Sequence, residues 1–141
     1  MPGTPQSLTL IAKPESLAPV TEFVRKGARE ANLPELQMRQ LELLIEEIVV
    51  NIWQYSYPES APGTVAVTFS VPRRGEMEIE VADQGIEFDP LTAEPPDLTL
   101  DLSQRPVGGL GIFLLKSFAR SLNYRRHLGW NRLSFGISAN P

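Results

Sequence analysis

Residues 35–55 constrain the fold more than any other stretch. Leu41, Leu43, Leu44, Ile45, Ile48, Val49, Val50 and Ile52 occupy most of the circumference of one helix. A helix that apolar has to be largely buried against other elements. Pro34, just before it, suits a helix start. Glu47 and Asn51 interrupt the apolar surface, and a spacing of four puts them on one face. At about 100° per residue, Leu44 lies beside them and Tyr55 continues their line. Arg39, Glu42, Glu46 and Trp53 fall on a separate ridge, the expected solvent face. Glu46 and Glu47 are neighbours in sequence yet point about 100° apart.

A carboxylate on an apolar flank costs free energy unless it is partnered. Asn is a poor helix former, so its place in mid-helix asks for a reason. The pair suits Mg²⁺ held through the Asn51 carbonyl, with phosphates and waters completing an octahedron. Glu47 suits a general base that takes a proton from an attacking hydroxyl. Alone, such a spacing more often belongs to an ordinary surface helix.

The rest of the chain supplies the cover. Ser7–Ala12 alternates as a strand that Pro14 ends, and residues 15–32 carry Leu17, Val20, Phe23, Val24 and Ala28 at helical spacing. Val65, Val67 and Phe69 mark a strand that Pro72 terminates. Arg73-Arg74-Gly75 is a turn, and Met77, Ile79 and Val81 form the returning strand. Residues 85–107 hold Pro90, Pro95, Pro96 and Pro106, which forbid a long element. A helix from Gly111 to about Ser121 follows. Tyr124–Leu128 and Leu133–Ile137 then close a hairpin around Gly129-Trp130-Asn131. The order β-α-α-β-β-loop-α-β-β, with tight turns between consecutive strands, predicts mostly antiparallel pairing and one sheet with helices on one face.

Totals narrow the function. A length of 141 residues is the size of one domain. The net charge of −4 disfavours a direct nucleic-acid binder, which normally carries a basic excess. The absence of cysteine excludes disulfides and a thiol nucleophile. No apolar run approaches the roughly 20 residues that span a bilayer, and the first residues lack a signal-peptide pattern. The expectation is a soluble cytoplasmic protein, off the membrane.

Two further segments join the helix. Asp83 ends an alternating strand and Gly85 frees the backbone after it. A carboxylate there suits an exocyclic amino group such as that of adenine, although Asp-x-Gly is also an ordinary turn. Gly108-Gly109-Leu110-Gly111 precedes Ile112-Phe113-Leu114-Leu115-Lys116. Free amides at a helix start bind phosphate oxygens, and glycines let phosphate approach them. No Gly-Lys-Ser/Thr follows, so this is not a P-loop, and its spacing is not that of a dinucleotide fingerprint. A linker before a core helix would read the same way.

In order, Glu47-Ile-Val-Val-Asn51, Asp83-Gln-Gly85 and Gly108-Gly109-Leu110-Gly111 resemble the boxes of the Bergerat-type ATP-binding superfamily. Asn51-Ile-Trp-Gln-Tyr-Ser-Tyr-Pro58 makes the chain more similar to the stand-alone serine/threonine kinases that act as anti-sigma factors. The resemblance implies an α/β (α+β) two-layer sandwich, a mixed, mostly antiparallel sheet covered on one face by three helices. It implies Glu47 as general base, Asn51 as Mg²⁺ ligand, Asp83 with Gly85 as the adenine reader, and Gly108, Gly109, Leu110 and Gly111 along the phosphates. Residues 86–107 would be a lid over ATP within a single domain, 1–141. The implied reaction is γ-phosphoryl transfer from ATP to a serine or threonine of an anti-anti-sigma (STAS-type) partner. The resemblance also implies a sigma factor held in an alternative complex, usually by a homodimer. Tyr55 stands where many relatives have histidine, and Gln84, Ile86 and Glu87 also depart from the common pattern. Two other readings stay open: an ATP-binding switch that sequesters a partner without transfer, and a plain α+β interaction domain.

Overall fold

Alternation of apolar and polar residues produces five strands among the described residues, and the computed structural model pairs them in the order β1-β2-β3-β5-β4. The structure describes residues 3–58, 60–89, 91 and 109–139. The strands are β1 (Gln6–Ile11), β2 (Thr64–Arg73), β3 (Glu76–Asp83), β4 (Ser121–His127) and β5 (Trp130–Ser138). Every described pairing is antiparallel. Among the described residues three α-helices join them: α1 (Leu17–Glu30), α2 (Glu35–Asn51) and α3 (Gly109–Phe118). The fold is α+β, as the resemblance implies.

Register stacks the apolar residues on one face. Gln6, Phe69, Ile79, Phe135 and Leu122 form one cross-sheet row, and Leu8, Val67, Val81, Leu133 and Tyr124 the next. Val65, Val67, Phe69, Ile79, Val81, Phe135 and Ile137 are buried here against Val20, Val24, Ala28, Leu41, Leu44, Ile45, Val49 and Leu115 of the helices. The other face carries polar pairs such as Ser7 with Thr68 and Arg132 with Glu80. Gly27 lets α1 lie close to the sheet. A Cβ there would sit 2.5 Å from Met77 Cε and 2.8 Å from the Phe69 ring, which also meets the Phe23 ring at 4.8 Å.

Element ends differ from the expectation for identifiable reasons. α1 begins after a 3₁₀ turn at Pro14–Ser16 and closes at Glu30. Asn32 adopts φ 55°, the Leu33 N–H donates to Ala28 O, and the Asn32 N–H donates to Arg29 O, which is a Schellman closure. β2 runs through Pro72 to Arg73. β1 pairs only as far as Phe69, and the register with β3 shifts between Ser70 and Arg73, so Pro72 removes no ladder bond from a paired edge. α3 stops at Phe118, because Ser121 already pairs with Gly136. The final turn is Leu128-Gly129, with φ of 50° and 84°, a two-residue loop that returns Trp130 and Asn131 to β5.

The buried stripe of α2 is narrower than its composition predicts. Leu36 and Leu43 remain exposed, while Leu41, Leu44, Ile45, Ile48 and Val49 are buried. On the opposite ridge Arg39 and Glu46 face solvent, Glu42 pairs with Arg25 of α1 at 2.6 Å, and Trp53 packs partly onto the core.

Candidate functional site

One end of the sheet gathers the polar residues that the core otherwise excludes. The next cross-sheet row after Leu8–Tyr124 is Leu10, Val65, Asp83, Asn131 and Arg126. Asp83 and Asn131 therefore lie on the helix-covered face, and both are buried. Asp83 Oδ1 accepts from the Gly85 N–H at 2.8 Å and from Asn131 Nδ2 at 3.0 Å. Its Oδ2 makes no hydrogen bond among the described residues. Burial pushes the Asp83 carboxyl above the ordinary carboxylate range. The bonds from Asn131 and Gly85, and the nearby Arg126 charge, oppose that shift without cancelling it.

Asn131 is the hub of this end. Its Nδ2 also donates to Ile86 O at 2.8 Å, and its Oδ1 accepts from Tyr124 Oη at 2.7 Å and the Phe88 N–H at 3.3 Å. Arg126 donates to Gly85 O at 2.8 Å. The hairpin turn expected around Gly129-Trp130-Asn131 gives Asn131 no role, whereas it lies within β5. A signal was available: Leu133, Phe135 and Ile137 alternate inward, and one step back along that period lies Asn131.

Glu47 and Asn51 share a ridge of α2, as their spacing predicts, and both are half-buried. Neither side chain makes a hydrogen bond within the described residues. Burial raises the Glu47 carboxyl above its usual range, and the Glu46 charge raises it further. At Asn51 the helix changes. Ile52–Ser56 forms a π-helical turn, so the α-helical line to Tyr55 does not continue, and Tyr55 is an exposed side chain. Such turns recur at functional sites.

This turn joins the first two boxes. The Ile86 N–H donates to Ser56 O at 3.4 Å, and a Cβ on Gly85 would lie 2.4 Å from Ser56 O and 2.6 Å from Ser56 Cβ. Gly85 is thus required here by its close approach to Ser56. Tyr57 completes the junction: its hydroxyl donates to Thr64 O at 2.7 Å and accepts the Gln84 N–H.

The third box is joined through packing. α3 lies on α2 and its Leu115 is fully buried. Among the described residues α3 runs from Gly109, two residues earlier than expected, so Gly109, Leu110 and Gly111 lie in its first described turn. Amides of a first turn lack intrahelical acceptors and are available to an anion. Gly108 lies outside the described residues, as does most of the expected lid at 86–107, of which 86–89 and 91 are described. His127 is exposed at the end of β4. No cluster of three or more His, Cys, Asp or Glu residues suited to a metal occurs among the described residues, and no described helix is long and apolar enough to cross a membrane. A separate cavity of about 430 Å³ lies at the other end of the sheet by register, lined by Gln6, Glu30, Val71 and Arg73 among others, and holds none of these residues.

The arrangement offers one acceptor carboxylate in a buried niche, a carboxylate and an amide on one helical ridge, and a glycine-bearing helix start. That donor set fits a purine nucleotide: an amino group at Asp83, phosphate oxygens at the amides of α3, and a cation at the Asn51 carbonyl.

Comparison with known proteins places the chain in a family. The histidine kinase-like ATPase domain family matches residues 10–136. The chain is 32% identical over 101 residues to the serine/threonine-protein kinase BtrW of Bordetella bronchiseptica, covering 72% of this chain and 70% of that protein. It is 29% identical over 99 residues to the serine-protein kinase RsbW of Bacillus subtilis, covering 66% of this chain but only 60% of that protein. Among solved structures, the RsbU and RsbW domains of Rv1364c from Mycobacterium tuberculosis superpose with a TM-score of 0.67 at 15% identity. That match covers 97% of this chain and 32% of the other, and it supports the fold.

Proposed function

The chain belongs to the histidine kinase-like ATPase domain family, and from that premise we propose that it is an ATP-dependent serine/threonine protein kinase of the anti-sigma-factor type. The reaction moves the γ-phosphoryl group of ATP to a serine or threonine hydroxyl of an anti-anti-sigma (STAS-type) partner. When bound, Mg²⁺·ATP supplies the transferable phosphoryl group. Asp83 accepts the adenine amino group, and the first-turn amides of α3 receive phosphate oxygens. The Asn51 carbonyl holds Mg²⁺, and Glu47 receives the hydroxyl proton. A sigma factor is the second partner, held by a homodimer of this single domain in the cytoplasm, with 86–107 as the ATP lid.

The observation that carries transfer over mere sensing is Glu47. A base is dispensable for binding nucleotide, yet this carboxylate sits half-buried on the Asn51 ridge with its proton affinity raised. Purified protein should bind ATP with Mg²⁺ in a calorimeter and label a STAS-type partner from γ-labelled ATP. Absence of binding overturns the kinase and the ATP switch together. Binding without labelling, indifferent to Glu47→Gln, leaves the switch.

A further inference from the structure

Asn131 uses its whole hydrogen-bonding capacity inside the protein. A primary amide has two N–H donors and two acceptor sites on oxygen. Here Nδ2 donates to Asp83 Oδ1 and Ile86 O, while Oδ1 accepts from Tyr124 Oη and the Phe88 N–H. The neighbours fix the amide's orientation. Two acceptors face its nitrogen and a backbone donor faces its oxygen, so a flipped amide would set oxygen against oxygen. A side chain so saturated has nothing left for a ligand.

We infer that Asn131 is a positioning residue: its bond to Oδ1 favours the acceptor form of Asp83 and leaves Oδ2 as the open atom, and it ties residues 86–88 to the same carboxylate. This rests on the kinase reading for the identity of the base. Asn131 and the Gly85 N–H both donate to Oδ1, and each bond is stronger to a carboxylate than to a neutral acid, so together they favour the ionised form. An acceptor-only Oδ2 favours a base with an amino donor and rejects one with a carbonyl in that place. Asn131 therefore sets base selectivity through Asp83 without contact. Because it also bonds Ile86 and Phe88, it couples the shape of the segment that follows β3 to the charge of Asp83.

The test compares ATP with inosine triphosphate, whose base has a carbonyl where adenine has its amino group. Wild type is expected to prefer ATP. Asn131→Ala, checked for folding by circular dichroism, is expected to lose roughly tenfold in ATP affinity with little change for inosine triphosphate. Nucleotide-free protein gives a second readout, carboxyl NMR of Asp83. Its titration should move to higher pH in Asn131→Ala, since a bond that favours the ion is gone. The other polar and charged groups at this end are Arg126 and Tyr124 on β4, Tyr57 from the π-turn, and Glu87 and Asp89 beyond β3; all are unchanged in the variant. If the alanine variant fails to fold, Asn131→Asp keeps the shape. Its carboxyl donates to Asp83 only when protonated, so the ATP preference should recover as pH falls. An unchanged base preference and an unchanged Asp83 titration in folded Asn131→Ala would overturn the inference, as would a pH-independent preference in Asn131→Asp. Wild type that binds neither nucleotide overturns the kinase reading, while the Asp83 titration still judges Asn131.

Discussion

Glu47 combines a favourable chemistry with an unfavourable position. Lost hydration, and then the neighbouring Glu46 charge, raise its pKa, which strengthens it as a base and makes its ion costly to the fold. With the folded pKa above the unfolded one, the associated stability is full below the unfolded value and is lost as pH rises through the folded value. Glu47→Gln removes that loss. It is expected to raise the melting temperature at neutral pH by the equivalent of less than about 1 kcal/mol, since the group is half-exposed. The gain should vanish near about pH 3, where the wild-type carboxyl is protonated in both states. The same variant should bind ATP normally and transfer phosphate about 10²–10⁴ times more slowly. Melting curves at the two pH values and single-turnover labelling check the two halves. A transfer rate equal to wild type would remove Glu47 from the chemistry. Asp83→Asn puts an amide beside the Asn131 amide and is expected to weaken ATP binding at least about tenfold, read by calorimetry. Glu47 and Asn51 were legible in the sequence because one helix fixes their relation. The Asp83–Asn131 bond was not, because it depends on a strand register that joins residues 48 apart.

Turns decide where these elements begin, and two of them can be probed. Leu128 sits at φ 50° with 85% of its surface exposed, in the first position of a loop where both residues have positive φ. A leucine gains no burial there and strains its backbone, whereas Asn-Gly is the favoured pair for such a loop. Leu128→Asn is expected to stabilise the protein by about 0.5–1 kcal/mol, measured by denaturant unfolding with an unchanged slope. A loss of stability would mean that the side chain has packing the hairpin geometry does not reveal. Gly85→Ala works in the opposite direction. Its methyl would meet the Ser56 backbone, so β3 and the π-turn must separate, at a cost of about 1–3 kcal/mol and with weakened ATP binding. The order of strands and helices was readable because period 2 and period 3.6 are local signals. Element ends depart from that pattern where the cause is not local. Pro72 lies beyond the reach of β1, so its missing donor costs no pairing, and the π-turn after Asn51 breaks the arithmetic that carried the ridge to Tyr55.

At the scale of the molecule, a chain of net charge −4 has to accept a polyanion. Glu47 shares the Asn51 ridge of α2, so bare phosphates would meet repulsion there, and Mg²⁺ would relieve it. The metal and the nucleotide should therefore stabilise the fold together. A ligand that binds only the folded state adds about 2.7 kcal/mol when its free concentration is about a hundred times Kd. For a domain of this size, each kcal/mol corresponds to about 3 °C in melting temperature. Saturating Mg²⁺·ATP is thus expected to raise the melting temperature by about 8 °C. ATP with a chelator should retain only a small part of that shift, and Asp83→Asn should abolish it. Because the boxes are joined by the Ser56–Gly85 contact and by α3 packing on α2, the rise should appear as one sharpened transition and not as a second one. Differential scanning calorimetry of the full chain with ATP, with and without Mg²⁺, measures all of this. A melting temperature unmoved by millimolar Mg²⁺·ATP would overturn the nucleotide site. An equal rise with and without the metal would leave the nucleotide but remove Asn51 as its magnesium ligand.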